Sequence, residues 1–150
     1  MLGHSRRGSD HSLDGVILSK GVGPFGYACR MKSKYVDGFL VVVAKKKLAD
    51  YVTLAKKAGR LWKAHGALGF YECVGDDHPK GCGMPFPKRA KCKSTETVLF
   101  SFVTFKSKAH RDEVNTAVMA DKRMAKMAEG PMPFDIKKMS YGGFEVVVGL

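Results

Sequence analysis

The segment "YVDGFLVVVA" (residues 35–44) becomes continuously apolar from Phe39 onward, at odd and even positions alike. Side chains of a β-strand alternate between its two faces, so a strand of this composition has to be covered on both. "TVLFSFVTF" (97–105) has the same character, and "ALGFYECV" (67–74) is a shorter β-rich run. The fold must therefore hide both faces of one sheet.

The segments between these runs decide the topology. Within "KKKLADYVTLAKKAGRLWKAHG" (45–66), a helical period places Leu48, Tyr51, Leu54, Ala55, Ala58, Leu61, Trp62 and His65 on one arc. Lys46, Lys56, Lys57, Arg60 and Lys63 fall on the opposite arc, and Gly66 stands where a left-handed cap ends such a helix. The stretch 75–95 is rich in Gly and Pro and reads as a loop. Ser107 can cap a second helix, "KAHRDEVNTAVM", and Asp121 a short continuation, "KRMAKMA". "YGGFEVVVGL" (141–150) supplies a last strand. Strand, helix, strand, strand, helix, strand is the ferredoxin-like (βαββαβ) order of an α+β protein. Its helices cover one sheet face only, so a second copy is expected on the other. The prediction is a homodimer with two sheets packed face to face, a dimeric α+β barrel.

Residues 1–30 are rich in Gly, Ser, His and Arg, and their only apolar cluster is Val16 to Leu18. They are expected to be a disordered extension, with Met31 the true start and 31–150 a single domain.

Lys and Arg number 26 against 14 Asp and Glu, a net charge of +12. Residues 1–34 hold six basic and two acidic groups, which leaves 20 and 12 for the remainder, so the excess is diffuse. Diffuse charge favours solubility over a nucleic-acid groove. The basic helix face also contains no aromatic on which bases would stack, which argues against nucleic acid. Binding of RNA or another polyanion through that face is nonetheless the alternative reading. Four irregularly spaced cysteines fit a reducing compartment, and the cytoplasm is the expected location. No apolar run has the length of a membrane helix or a secretory signal.

Several ordered blocks carry a family likeness: "KYVDGF" (34–39), "HGAL" (65–68), "ECVGDD" (72–77), "FPK" (86–88), "ETVLFSF" (96–102), "KSKAHRDEVN" (106–115), "VMAD" (118–121), "MPFD" (132–135) and "YGGFEVVV" (141–148). The chain from about Met31 resembles the uncharacterised YbaA-like family, domain of unknown function 1428. The resemblance implies a small bacterial protein of dimeric α+β barrel type, without an established activity. Family members usually begin just before "KYVDGF", so the first thirty residues have no counterpart. Proline often follows "VMAD"; Lys122 stands there instead, and a more continuous second helix is expected. Cysteine is not expected at the positions of Cys82 and Cys92.

Three readings of reactive residues compete with bland ones. Cys73, Cys82 and Cys92 are nine and ten residues apart, and even with His78 they form no closely spaced pair of the kind zinc sites use. No metal or other cofactor is expected, and Cys73 reads as a buried inert thiol. Asp37, Glu72 and Glu145 interrupt apolar strands, and charged groups are seldom buried without a partner. Asp37 and Glu145 fall on neighbouring strands and could share a cavity, where a desolvated carboxylate becomes a general acid or base. The bland reading pairs them with Lys or Arg, or turns them to solvent.

His65 and His110 are the proton-shuttle candidates, against capping or packing roles. The candidate catalytic set is thus Asp37, His65, Glu72 and His110. Asp76, Asp77, Tyr141 and Glu145 are ligand-binding candidates, with Tyr141 as a hydrogen-bond donor. The functional expectation is a small polar or anionic molecule, bound or transformed without metal in the barrel or a helix-to-sheet cleft.

Overall fold

The computed structural model describes residues 33–149 apart from 80 and 82. The expectations for residues 1–30 and for Cys82 lie outside the described residues.

Among the described residues four strands form one antiparallel sheet: β1 (Tyr35–Ala44), β2 (Gly69–Val74), β3 (Glu96–Phe105) and β4 (Ser140–Glu145). Their order is β2-β3-β1-β4, the ferredoxin-like arrangement the sequence predicts. The two strands apolar on both faces, β1 and β3, pair over their full length from Tyr35↔Phe105 to Ala44↔Glu96. They occupy the centre of the sheet, where both strand edges are hydrogen-bonded.

Helix α1 (Leu48–Ala64) follows β1 after a tight turn at Lys45–Lys47. It buries Tyr51, Ala55, Gly59 and Leu61 against the sheet. Gly66 takes a φ of +105°, and its N–H donates to the Lys63 carbonyl while that of Ala67 donates to the Trp62 carbonyl. This left-handed ending satisfies two helix carbonyls and needs a residue without Cβ strain. Gly59 has a different role. A Cβ there would lie 2.7 Å from Cδ1 of Phe70 on β2, so the missing side chain sets how closely α1 approaches the sheet.

The stretch between β2 and β3, expected as a loop throughout, contains one helical turn, α2 (Phe86–Arg89), started by Pro85. Helix α3 (Lys108–Ala120) begins at Ser107, whose hydroxyl accepts the His110 N–H at 3.1 Å. The expected more continuous helix is broken at Asp121, which has an extended ψ of 125°. Its side chain caps α4 (Lys122–Ala128) by accepting the Arg123 N–H at 2.8 Å. The capping bond restarts the helix without proline.

The odd-numbered residues of β1 and β3 face the helices. Leu61, Val103, Phe105, Val114 and Val118 make one buried cluster, and Val41, Val43, Tyr51, Ala55 and Leu99 another. The even-numbered residues face the other way, with Phe100 opposite Leu40, Phe102 opposite Gly38, and Phe144 opposite Val36. Phe86 of α2 stacks on Phe100 from that side at 6.1 Å. Tyr71, Phe100 and Phe144 nevertheless remain exposed.

Candidate functional site

A cavity of about 230 Å³ lies between α1, the helix-facing side of the sheet, α4 and the chain leading to β4. Its walls are aromatic and methionine-rich, with Phe39, Trp62, Phe70, Phe134, Met124 and Met127 among them. At its polar end stand Tyr51, Glu72 and Ser101. Glu72 and Ser101 are directly opposed across the β2–β3 ladder, which turns both side chains to the helix face. Tyr51 reaches down from α1 and donates its hydroxyl to Glu72 Oε2 at 2.9 Å. Ser101 donates to the same oxygen. Burial raises the Tyr51 hydroxyl well above the usual phenol range, and the neighbouring Glu72 charge pushes it the same way, so the donor keeps its proton. Glu72 Oε1 receives no hydrogen bond from the described residues and is not sealed off.

Asp37 is buried at 6% exposure but fully engaged. Arg111 Nε donates to both its oxygens at 2.9 Å, and Asn115 Nδ2 donates to Oδ2 at 3.1 Å. Asn115 in turn accepts the Trp62 indole N–H at 3.2 Å, so one carboxylate ties β1 to α3 and α1. The carboxylates of Asp37 and Asp112 hold the Arg111 guanidinium further above its ordinary range. Asp37 follows the paired reading, and Glu145, two register steps away on the same sheet face, is exposed.

His65 Nε2 lies 2.9 Å from Asp121 Oδ2, linking the end of α1 to the corner between α3 and α4. Hydrogen bonds from Arg123 and His65 hold the Asp121 carboxyl well below the usual carboxylate range. His110 Nδ1 accepts the Lys106 N–H at 3.2 Å, and its ring meets Phe105 edge-on. Both histidines brace helix ends. Asp76 and Asp77 are exposed beyond β2. Tyr141 is 76% exposed and stacks on Phe39 at 6.4 Å.

Of the eight candidates, Glu72 alone is among the residues lining this cavity. Its partners Tyr51 and Ser101 escaped the sequence reading, although each left a signal. A tyrosine on the apolar arc of a helix needs a partner for its hydroxyl, and Ser101 is the one hydroxyl in an apolar stretch of β3. Cys73, expected to be buried, is exposed on the face opposite the helices, across from Phe100. Among the described residues no three His, Cys, Asp or Glu side chains gather as a metal site, and no helix is long and apolar enough to cross a membrane.

The topology and the two-layer architecture define a ferredoxin-like α+β protein. The fold is similar to that of a dimeric ferredoxin-like protein from an uncultured marine organism, with a TM-score of 0.50 over 81% of this chain and 94% of that one at 8% identity. Residues 34–136 match the family described as protein of unknown function (DUF1428), and the chain belongs to that family. It is 44% identical over 115 residues to the uncharacterized protein YbaA of Escherichia coli K12, covering 77% of this chain and 97% of that protein. YbaA of Shigella flexneri matches at the same identity and coverage.

Proposed function

We propose that the protein binds a small, largely apolar molecule in the helix-to-sheet cavity, with one polar group of that molecule at Glu72. The observation that carries this reading is the free Oε1 of Glu72 at the polar end of an otherwise apolar, aromatic-walled cavity. An apolar cavity of about 150 Å³ accommodates benzene, so the larger space here suits a molecule of one or two rings. The lining moves the ligand class away from the polar or anionic molecule expected from sequence, because a carboxylate repels an anion. If the bound molecule is transformed, Glu72 is the base within reach.

A pocket-filling variant tests this reading. Ala58 lines the cavity, and Ala58→Phe occupies it. A molecule from a small-aromatic library that raises the thermal midpoint of the wild type and not of Ala58→Phe supports the proposal, since a ligand of the folded state stabilises it. A library with no active member, or shifts equal in both proteins, contradicts it.

The second part of the proposal is that the opposite sheet face joins two copies. Tyr71, Phe100 and Phe144 are exposed there, and no strand residue with its side chain on that face is Lys or Arg. Phosphate groups of RNA would find no cation among these residues, whereas a second apolar sheet matches them. The dimeric state of the ferredoxin-like neighbour agrees with this assignment. The polyanion alternative rests on exposed Lys56, Lys57 and Arg60 of α1, which still lack an aromatic between them.

A further inference from the structure

We infer that the ligand of the Glu72 cavity is a protonated amine on an apolar, ring-sized body; this rests on the pocket reading above. Tyr71 is in the lining, but its side chain turns to the opposite sheet face, across from Phe102. Each polar side chain on the helix-facing side is either an acceptor or already committed. Tyr51 and Ser101 both spend their single O–H on Glu72 Oε2, so toward the cavity they offer lone pairs only. Glu72 as a carboxylate offers lone pairs only. Trp62 lines the cavity as well, but its N–H is given to Asn115. The polar end therefore presents acceptors and no free side-chain donor, which selects a donor ligand.

Charge narrows the choice further. No Lys, Arg or His lines the cavity, and no cation pairs with Glu72 among the described residues. Among the described residues every other acid that is buried or half-buried has a cation within the chain: Asp37 and Asp112 have Arg111, Asp121 has Arg123 and Glu96 has Lys138. Glu72 has hydroxyl partners instead, and its counter-charge is left for the ligand. An ammonium meets two favourable surroundings there, the carboxylate and aromatic walls, since aromatic rings attract cations to their faces. A neutral alcohol gains only the hydrogen bond, and a carboxylate meets repulsion.

Calorimetry with phenethylamine, phenethyl alcohol and phenylacetate tests this on the intact chain. The amine should bind at least about tenfold tighter than the alcohol, as expected when a charged pair replaces a neutral one, and phenylacetate should bind weakest. Glu72→Gln should abolish the preference, lowering amine affinity to about that of the alcohol for the same variant. Equal affinity of amine and alcohol for the wild type overturns the amine assignment while leaving the pocket reading intact, as does a preference for phenylacetate. A preference for the amine that survives Glu72→Gln overturns the role of Glu72. If none of the three binds, both readings fall.

Discussion

Tyr51 on α1 and Glu72 on β2 are joined by a 2.9 Å hydrogen bond that spans the interface between helix and sheet. Because burial in the folded state raises the pKa of this hydroxyl, its neutral form is favoured by folding. The contribution is complete below the ordinary phenol range, at about pH 10, and is lost as the pH rises beyond it. Phenolate absorbance during an alkaline titration should therefore show one of the five tyrosines titrating late, together with unfolding. Tyr51→Phe should remove that late step and lower stability by about 1.5–3 kcal/mol, as for other lost hydrogen bonds to a charged group. A wild-type titration in which all tyrosines ionise together while the protein stays folded would contradict it.

The ion pair of Asp37 and Arg111 sets up a second test. Removing one partner leaves a buried charge uncompensated, which costs about 3 kcal/mol. Arg111→Leu should lose about that much in a urea titration, since Asp37 would keep only Asn115. Asp112, which also receives Arg111 but is itself far more exposed, should be replaceable by alanine with the midpoint close to that of the wild type.

Gly59 makes a prediction opposite to helix propensity. Alanine is normally better than glycine in a helix by about 1 kcal/mol. Here its Cβ would press on the Phe70 ring at 2.7 Å, and overpacking of this kind costs about 1–3 kcal/mol. Gly59→Ala should therefore lower the thermal midpoint, and the same substitution in a Phe70→Leu background should raise it. A stabilised single variant would show that α1 does not depend on this close approach.

Acid should loosen the corner at Asp121. Its carboxyl is held below the ordinary range in the folded chain, so its contribution is present above about pH 4 and fades as the pH falls below it. The stability gap between wild type and Asp121→Asn should shrink as urea titrations are taken from about pH 6 down to about pH 3. A gap that stays constant over that range would remove Asp121 from the account.

How much of this was legible in the sequence follows from where each determinant sits. The apolar runs declared β1, β2 and β3, because a strand buried on one or both faces needs little beyond its own composition. The end of β4 was not legible. "EVVVGL" reads as strand, yet β1 begins at Tyr35 opposite Glu145, and just beyond that pair the Val146 N–H donates to the carbonyl of Lys34, outside the paired register. Val147 and Val148 are left exposed. Glu72 stood out as an acid in an apolar strand, but its partners lie 21 and 29 residues away in the chain. The fate of Asp37 was decided by Arg111, 74 residues away, and no local pattern announces such a pairing. Acids that look alike in sequence thus divide, one into a structural ion pair and one into a cavity.

The central claim is that the sheet divides its work, with the helix face holding a ligand and the other face holding a second copy. Sedimentation of the wild type and of Phe100→Glu tests it most directly. At about 50 μM, a concentration that populates any dimer of micromolar affinity, the wild type should sediment at twice the monomer mass. Phe100→Glu, with a charge on the exposed face and none in the helix-side core, should sediment as a folded monomer that still binds phenethylamine. A wild type that is monomeric at that concentration, or a Phe100→Glu variant that stays dimeric, would contradict the claim.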